Sequence, residues 1–550
     1  MSVCRHQDPS HSDLPAVTYE REPGSVSMPL PRGYRGREPE KTALYEVVRE
    51  HLETLLEEAR TRSEEGTGYP RFIEHEFRRF LSCGILGRGF ARVRCPECGY
   101  DRLVAFSCKG RLCPCCWARR TAEIAADLVD RVLPEAPYRQ WVLTFPFPLR
   151  FLLATDSAFL ADMLRAFTRT LFAWQRLRGR RLGLRHGQTG AVTMIQRFGG
   201  IANLNPHFHS VLPDGLFVPS PDGPMTFFLL PPPTDHDIQD LTTRLAKRLG
   251  DIARKRFEQV QDQPPWPDDQ THVHAALADS PRLPRSEKPD DKDQTRHDEE
   301  KHLCARVDGF SLHAGRTVEA SDREGLERLL RYGLRAPFSN DRLSLVPDGH
   351  VRLRLLRPWP KPGGRTEVVF EPLQFMKRLV ALIPRPYGNL VRYHGVFANR
   401  SKFRPWLPKP PPRVPLNVSA PCDCASPEAS TEASNQTRGL QSSPPAEPLL
   451  TKPPRRHRST WAQMLRRVLD VDALKCPRCS TPMIVIAFLT DPSVVRKILD
   501  HLHLPVDPPP LGPARCPDTD PFLPDVEEDP PKNPDHTRPT PRFRPSRAPP

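Results

Sequence analysis

Residues 205–215, with the sequence NPHFHSVLPDG, decide which fold this chain can adopt. The stretch is predicted to form a β-strand, in which successive side chains point to opposite faces. His207 and His209 then share one face, while Phe208 points into the core. Two imidazoles held together on a rigid strand form half of a metal site. A lone His-x-His pair is more commonly a packing feature, so the rest of the chain has to decide between a ligand pair and two packed histidines.

The composition indicates several domains joined by proline-rich segments. A chain of 550 residues can hold two or three domains. Its 67 prolines are about 12% of all residues, against a usual value of about 5%, and they concentrate in linkers and tails. The predicted organisation is a disordered leader at 1–40, a helical and zinc-binding domain at 41–132, an α+β domain at 133–405, a proline- and serine-rich linker at 406–458, a small C-x-x-C module at 459–505 and a disordered tail at 506–550. A charged stretch without periodicity, at about 262–302, is expected to be a disordered insertion in the α+β domain.

The charge and the cysteine usage point to a nucleic-acid partner and to metal ligation. A net charge of +15 favours a polyanionic partner, nucleic acid before membrane. The chain shows neither the pattern of a signal peptide nor an apolar run of membrane-spanning length. Fourteen cysteines without an export signal indicate metal ligation in a reducing compartment rather than disulfides. A soluble, cytoplasmic protein without a membrane partner is expected.

Two cysteine pairs in the N-terminal third have the spacing of a tetrahedral zinc site. Each C-x-x-C turn offers two thiolates, and a short hairpin separates the two turns. The predicted ligands are Cys95, Cys98, Cys113 and Cys116. Cys108 and Cys115 lie nearby, and either could replace one of the four. A cysteine-only site has no open position for water, so this Zn²⁺ is expected to be structural. A further pair, Cys476 and Cys479, is half a zinc site without an evident partner pair, and metal binding there stays open.

The order of predicted elements gives an α+β fold. The main predicted elements are strands at 139–145, 190–198, 342–347, 350–356 and 366–371, and helices at 156–178, 236–259, 322–335 and 372–383. Together with the histidine strand they predict a largely antiparallel sheet. If the strand at 190–198 pairs with the histidine strand, Gln196 lies close to both histidines. Gln196 is therefore a candidate third ligand or a residue that holds a water.

The helix at 322–335 carries a tyrosine among arginines. Tyr332 lies in its last turn, near Arg328, Arg331 and Arg335. Guanidinium groups bind phosphates, so these arginines are candidate nucleic-acid contacts. Taken alone, the pattern is better explained by an ordinary amphipathic tyrosine.

Several short motifs, in consistent order over about residues 40–405, resemble one known family. They are FSCKGRLCPCC, VLTFP, IQRFGG, NPHFHSVLPDG, RLLRY with RAPFSNDRL, and LVRYHGVFANR. The chain resembles the rolling-circle transposases of insertion-sequence family ninety-one, with a weaker match over 460–505. These enzymes belong to the HUH endonucleases, named for their His-hydrophobic-His motif. The resemblance implies an N-terminal zinc-binding domain, an antiparallel-sheet HUH nuclease domain and a tyrosine nucleophile on a downstream helix.

The resemblance also implies a mechanism and partners. His207 and His209, with Gln196 as the candidate third ligand, would hold Mg²⁺ or Mn²⁺ against the scissile phosphate. Tyr332 would attack the phosphorus and leave a 5′-phosphotyrosine and a free 3′-OH, which allows strand joining without ATP. The implied partners are single-stranded DNA at mobile-element ends and target DNA, in a bacterial, nucleoid-associated setting without a small-molecule substrate.

One departure from the family leaves alternatives open. The family typically carries two tyrosines one helical turn apart, but the position four residues before Tyr332 is Arg328. Tyr387 and Tyr393 lie downstream without the helical setting. Either one tyrosine suffices or this copy is impaired. The other functions considered are a rolling-circle replication initiator of the same chemistry and a zinc-dependent DNA-binding protein with an inactive nuclease. A phosphoesterase for small substrates is disfavoured by the basic charge and the cysteine pairs.

Overall fold

The computed structural model describes most of the chain between residues 36 and 515. The described residues are 36–63, 66–221, 223–261, 302–356, 358, 364–386, 388–410, 462–463, 467 and 472–515. The predicted leader up to residue 35, the insertion up to 301, most of the linker and the tail beyond 515 lie outside them. Within the described part the protein has the predicted α+β fold, with helices packed on antiparallel sheets. No described helix is both long and apolar enough to cross a bilayer.

The N-terminal part consists of three helices and one hairpin. Its elements are α1 (Ala43–Arg62), α2 (Arg71–Leu81), β1 (Phe90–Arg94), β2 (Asp101–Ala105) and α3 (Pro114–Asp127). Helix α1 begins where the Thr42 hydroxyl accepts a hydrogen bond from the Tyr45 amide. Helix α3 begins with Pro114 directly after Cys113, a position that suits proline because its nitrogen needs no partner there.

The middle of the chain builds the central sheet and its helices. Its elements are β3 (Tyr138–Thr144), α4 (Arg150–Thr155), α5 (Ser157–Arg181), β4 (Gly190–Phe198), β5 (Leu204–Pro213), β6 (Gly215–Ser220), β7 (Gly223–Leu229), α6 (Asp235–Gln261), β8 (Cys304–Val307), β9 (Phe310–Val318), α7 (Arg323–Leu334), β10 (Leu343–Leu345), β11 (Val351–Arg354), β12 (Glu367–Phe370), α8 (Pro372–Leu382) and β13 (Val391–Gly395). The six-stranded sheet has the order β13-β4-β5-β3-β9-β8, and every pair is antiparallel. Strand β5, which carries the two histidines, therefore lies inside the sheet between β4 and β3.

The two faces of this sheet are covered by different helices. Helices α4, α5 and α6 cover one face with a large apolar core that includes Phe208 and Phe167. Helices α3 and α7 and the β6–β7 hairpin pack on the other face. A third core joins α1 and α2 to α8 and the small sheet of β10, β11 and β12. One core thus contains segments that the sequence predicts to belong to two separate domains.

The C-terminal segment packs against the N-terminal part. Strand β14 (Ile484–Leu489) pairs with β1 in a three-stranded sheet with the order β14-β1-β2, and α9 (Pro492–His501) follows it. The chain then continues along α1, where the Gly512 amide donates to the Arg49 carbonyl at 2.9 Å and the Arg515 amide to the Thr54 hydroxyl at 3.0 Å. The structure differs here from the predicted separate module and from the predicted disorder beginning at residue 506. These contacts connect residues hundreds of positions apart, which local patterning does not reveal.

A buried ion pair fixes the end of strand β5. The Arg139 guanidinium donates to both carboxylate oxygens of Asp214, at 2.9 and 2.7 Å, and also to the Ala314 carbonyl at 2.8 Å. Burial raises the pKa of Asp214, and the neighbouring Arg139 opposes that rise. The bidentate geometry holds the end of β5 to β3 and β9, and this sets the position of the histidine strand.

Candidate active site and cysteine clusters

The two histidines of β5 lie side by side on the face that α7 covers. Their ring centroids are 4.8 Å apart. The strand register places Gln196 opposite His207 and Met194 opposite His209 on β4. His207 and His209 are therefore on one face, as the alternation of the strand predicts, and Phe208 packs on the other face.

His209 is a neutral imidazole with an unused nitrogen. Its Nε2 atom is buried and has no hydrogen-bond partner within the described structure. Burial lowers the pKa of His209 well below its usual value, and His207 and Arg335 lower it further. The side-chain amide nitrogen of Gln140 on β3 lies 3.2 Å from Nδ1. A flip of this amide, which exchanges nitrogen and oxygen, lets Nδ1–H donate to Gln140 and leaves the Nε2 lone pair free.

His207 is fixed by its own strand. Its Nδ1 atom lies 2.7 Å from the Asn205 carbonyl oxygen, which only accepts, so Nδ1 carries the proton and Nε2 the lone pair. Burial lowers the pKa of His207, the Asn205 carbonyl opposes this, and Arg335 and Arg150 lower it further. Both imidazoles therefore stay neutral at physiological pH, as metal ligands must be.

Tyr332 reaches this site from helix α7. Its ring meets the ring of His209 edge-on, with the centroids 6.2 Å apart and the planes at 85°. About half of the tyrosine side chain is exposed, at 49%. The tyrosine ring thus lies beside His209 on a residue that is partly open to solvent.

Arg335, the residue directly after helix α7, joins the site. Its guanidinium lies over the Tyr332 ring, 4.4 Å from the centroid, and 6.0 Å from the Phe198 ring centroid. Its Nε atom is buried without a hydrogen-bond partner among the described residues. A stacked guanidinium with a donor to spare is suited to hold a phosphate next to the tyrosine.

The other two arginines predicted to contact DNA lie further out on α7. Arg328 is exposed and is 3.8 Å from Asp322 and 3.7 Å from Glu324 in loose ion pairs. Arg331 is half-buried in the turn that carries Tyr332. Of the three predicted arginines, Arg335 therefore lies at the tyrosine, and Arg328 and Arg331 lie on the flank of α7.

Gln196 lies at the predicted position, but its amide nitrogen is engaged. It donates to the Gly333 carbonyl at 3.3 Å and so links β4 to α7. Gly333 allows this close approach, because a Cβ atom at that position would lie 2.8 Å from Met194 Cε and 3.6 Å from His209 Cβ. Helix α7 consequently lies directly on the histidine face of the sheet.

The zinc-binding part of the chain holds the end of helix α7. The Trp117 indole N–H and the Thr121 hydroxyl, both on α3, donate to the Leu334 carbonyl at 2.6 and 2.9 Å. Carbonyls at the end of a helix lack intrahelical partners, so α3 satisfies one of them two residues after Tyr332. The position of the tyrosine therefore depends on α3.

The cysteines of the described residues form two clusters of four, and neither is the predicted set. The first consists of Cys83, Cys108, Cys113 and Cys116, and the second of Cys95, Cys98, Cys476 and Cys479. In each cluster the four sulfur atoms lie within 4.8 Å of one another. The predicted grouping of four ligands is thus wrong. Cys95 and Cys98 pair with Cys476 and Cys479, whereas Cys113 and Cys116 pair with Cys83 and Cys108. Cys115 belongs to neither cluster and lies 3.8 Å from the Asn340 side-chain amide.

Two contributors to these sites are not predicted from the sequence, Cys83 and Gln140, and neither is the partner pair of Cys476 and Cys479. Cys83 follows helix α2 without any spacing motif that would mark it. Gln140 lies in a predominantly apolar strand, and its contact with His209 depends on the sheet register. Cys476 and Cys479 carried a usable signal, because CPRC at 476–479 repeats the C-P-x-C pattern of CPEC at 95–98.

The donor set fits a divalent cation. Nε2 of His209 is an orphaned buried atom, and the tautomer of His207 leaves its Nε2 lone pair available. Within the described residues no carboxylate or thiol joins the two histidines in a cluster of three ligands. Two imidazoles and further oxygen donors suit Mn²⁺ or Mg²⁺, which keep water or substrate oxygens as ligands.

Comparisons with known proteins match two parts of the chain to transposase families. The family described as "Putative transposase" matches residues 190–404, and the family described as "Transposase zinc-binding domain" matches residues 48–145. A "Putative transposase y4qJ" from Sinorhizobium fredii (strain NBRC 101917 / NGR234) is 25% identical over 316 residues, which are 56% of this chain and 69% of that protein. No solved structure matches the chain at a significant level.

Fold, site and comparisons together define a transposase with a zinc-binding domain, a class of protein whose partner is DNA. More closely, the chain belongs to the transposases of insertion-sequence family ninety-one. The predicted family is thereby confirmed, together with zinc binding as a property of its N-terminal domain.

Proposed function

We propose that this transposase nicks and rejoins single-stranded ends of a mobile element through a covalent 5′-phosphotyrosine at Tyr332. The observation that carries the proposal is the edge-on contact between Tyr332 and His209, with ring centroids 6.2 Å apart. It brings a solvent-accessible nucleophile from α7 to a pair of neutral imidazoles on β5. A tyrosine that served only to pack on the sheet would be expected to be buried, whereas Tyr332 is 49% exposed.

The chemistry conserves the energy of the phosphoester, because one bond from phosphorus to oxygen is exchanged for another. The Tyr332 oxygen attacks the phosphorus, its proton passes to solvent, and the bond from phosphorus to the 3′ oxygen breaks. The 3′ oxygen leaves with the electron pair and takes up a proton, which gives a free 3′-OH and a 5′-phosphotyrosine. Attack of another 3′-OH on the phosphotyrosine reverses these steps and joins two strands. No external energy source is needed.

The residues around the tyrosine have distinct tasks in this mechanism. His207, His209 and the amide oxygen of Gln196 would hold the Mg²⁺ or Mn²⁺ ion, which when bound polarises the phosphoryl oxygens and offsets their developing charge. Gln140 orients the His209 ring through Nδ1. Arg335 holds the tyrosine ring and offers Nε to the scissile phosphate. Arg328 and Arg331 would contact the DNA backbone beside it.

The first cysteine cluster is the proposed structural zinc site of the zinc-binding domain. Its sulfur atoms are buried, and the distances between neighbours include 3.6 Å for Cys83–Cys116 and 3.5 Å for Cys108–Cys116. The Arg37 guanidinium, 3.7 Å from the Cys83 sulfur, offsets the negative charge of the thiolates. Cys113 and Cys116 lie at the start of α3, so the ion fixes the helix whose Trp117 holds the end of α7.

The direct test is covalent capture of DNA. The full chain is incubated with Mn²⁺ and a single-stranded element end that carries a label at either its 5′ or its 3′ terminus. We expect an SDS-resistant adduct that contains the 3′ label only, together with a released 5′-labelled fragment that a polymerase can extend. An adduct that retained the 5′ label would contradict the proposed polarity of attack.

Tyrosine variants identify the nucleophile. Tyr332→Phe should abolish the adduct, whereas Tyr387→Phe and Tyr393→Phe serve as matched controls and should retain it. An adduct that persists in Tyr332→Phe and disappears in Tyr393→Phe would assign the chemistry to another residue. Failure of the wild-type chain to form any adduct at every element end tested would refute nuclease function and favour an inactive, DNA-binding copy.

A further inference from the structure

The second cysteine cluster joins two parts of the chain that are far apart in sequence. Cys95 Sγ lies 3.3 Å from Cys479 Sγ, and Cys98 Sγ lies 3.5 Å from Cys476 Sγ. The first of these pairs is separated by 384 positions. A zinc ion bound to four sulfurs at about 2.3 Å needs sulfurs about 3.8 Å apart, so these thiols are already close to tetrahedral spacing.

We propose that Cys95, Cys98, Cys476 and Cys479 bind a second structural Zn²⁺ that fastens the C-terminal segment to the N-terminal hairpin. We call this cluster the zinc clasp. It is separate from the buried cluster around Cys83, because the two sets share no residue. The part of the chain that the structure describes would then hold two structural zinc ions.

The backbone on both sides of the clasp has the same shape. The Cys95 amide donates to the Tyr100 carbonyl at 2.9 Å, and the Cys476 amide donates to the Thr481 carbonyl at 3.0 Å. In both turns the residue after the second cysteine has a positive φ: 69° at Gly99 and 64° at Ser480. A non-glycine residue rarely adopts this conformation, so its presence at Ser480 shows that the second turn is shaped like the first. Two matching turns that face each other give a four-thiolate site.

The protein core around the clasp is small. Its buried members are Val93, Cys95, Cys476 and Met483. Several side chains of the adjoining strand β14 are exposed, among them Ile484 and Phe488. The adjoining apolar cluster of Phe90, Val495 and Leu499 is also small, and small domains commonly depend on a metal for stability.

The clasp fixes a segment that also contacts the tyrosine helix. Arg467 donates to Asp130 at 2.6 Å and to Glu327 of α7 at 2.7 Å. The Glu327 side chain is almost fully buried, so this ion pair is shielded from solvent. Zinc at the clasp would therefore hold in place a segment that reaches the helix carrying Tyr332.

Metal stoichiometry gives the first test. Zinc in the purified full-length chain is released with a mercurial and titrated with a chromogenic chelator. We expect two equivalents per chain for the wild type, one for the double variant Cys476→Ser with Cys479→Ser, and two for the matched control Cys304→Ser. One equivalent in the wild type, or an unchanged count in the double variant, would overturn the proposal. The count does not depend on nuclease activity, so its outcome is distinguishable from that of the proposed function.

A cut chain tests the fastening itself. A protease recognition sequence is inserted after residue 440 of the full-length chain, which is then cleaved under native conditions. In the wild type we expect the fragment that begins there to co-elute with the N-terminal fragment. In the double variant we expect it to elute separately, with the N-terminal fragment keeping its circular dichroism spectrum. Co-elution in the double variant would show that strand pairing alone holds the segment and would refute the clasp.

Discussion

The two faces of strand β5 show how one strand serves stability and chemistry at once. On one face Phe208 is fully buried and packs edge-on against Phe145, with ring centroids 5.0 Å apart. On the other face His207 and His209 lie under helix α7 with a nitrogen that no described group satisfies. A buried polar atom without a partner costs free energy, typically about 1–3 kcal/mol. Packing on the apolar face offsets this cost, and the histidine face has an imidazole nitrogen without a hydrogen-bond partner among the described residues.

The difference between the two faces of β5 also explains why the helices that cover them differ. Helices α5 and α6 cover the apolar face with a continuous core. Helix α7 presents Tyr332 and Gly333 to the histidine face, and Arg335 follows directly after its end. Stability should therefore respond mainly to changes on the first face, and DNA cleavage to changes on the second.

The largest effect is expected for His209→Gln. Loss of one imidazole ligand should reduce adduct formation by about 10³-fold, since metal stabilisation of the transition state is worth several kcal/mol. The free energy of unfolding should change by less than about 1 kcal/mol, because the lost Nε2 atom had no partner. Adduct yield against time and urea unfolding measure the two quantities. A large loss of stability at unchanged adduct yield would remove the distinction between the faces.

His394, a histidine on the apolar side of the sheet, should affect the stability of the fold and not DNA cleavage. His394 on β13 lies opposite Ala191, whose side chain belongs to the α5 core. Burial, with a smaller contribution from Arg392, lowers the pKa of His394 from 6.5 to about 4. Between these pH values the unfolded chain binds a proton that the folded chain does not, so stability falls as the pH decreases from 6.5 to 4. At 1.36 kcal/mol per pH unit, this loss is at most about 3.4 kcal/mol.

The measurement for His394 is a difference between two unfolding profiles. Urea unfolding of the wild type and of His394→Gln is followed from pH 7 to pH 4, since other acids titrate equally in both. The wild type should lose more stability than the variant over this range. Parallel curves would show that His394 does not titrate in this window.

Phe208→Leu tests the apolar face of the same strand. The smaller side chain should destabilise the fold by about 1–2 kcal/mol, because the neighbouring rings of Phe145 and Phe167 can only partly fill the space. Adduct yield per folded molecule should stay within about twofold of the wild type. A much larger loss of activity would mean that the position of the strand, and not only its stability, depends on this ring.

The smallest effect is expected for Gly333→Ala. The new methyl group would lie 2.8 Å from Met194 Cε and 2.9 Å from Met194 Sδ, so the flexible end of the methionine has to move. We expect a three- to tenfold decrease in adduct yield, because α7 is lifted slightly from the histidines. Addition of Met194→Ala should restore part of the activity. If the double variant is no better, the methionine is not what sets the distance between helix and sheet.

Local patterns in the sequence predicted a large part of this fold. Strand β4 was predicted at 190–198 and spans Gly190–Phe198. Helix α7 was predicted at 322–335 and spans Arg323–Leu334, where Asp322 caps its start through the Gly325 amide. Alternation, helical periodicity and caps are properties of neighbouring residues, so they can be recognised without knowledge of the tertiary structure.

The partners of the cysteines could not be predicted in this way. A C-x-x-C turn supplies two thiolates, and the fold decides which second pair completes the tetrahedron. Here the pairing of β1 with β14 brings Cys476 and Cys479 to Cys95, although Cys113 is far nearer in sequence. The amide of Gln140 at His209 likewise follows from the register of two strands. Strand register and distant pairing are decided by the whole core, and spacing along the chain does not encode them.

The pairing of β1 with β14 has a consequence for synthesis of the protein on the ribosome. The hairpin that contains Cys95 emerges early, but Cys479 is added 384 residues later. At about 5–20 residues per second, translation leaves an interval of roughly 20–80 s in which this sheet lacks its third strand. A nascent chain, or one truncated by a premature stop codon before residue 479, therefore cannot complete it. Completion of this three-stranded sheet therefore requires translation through strand β14.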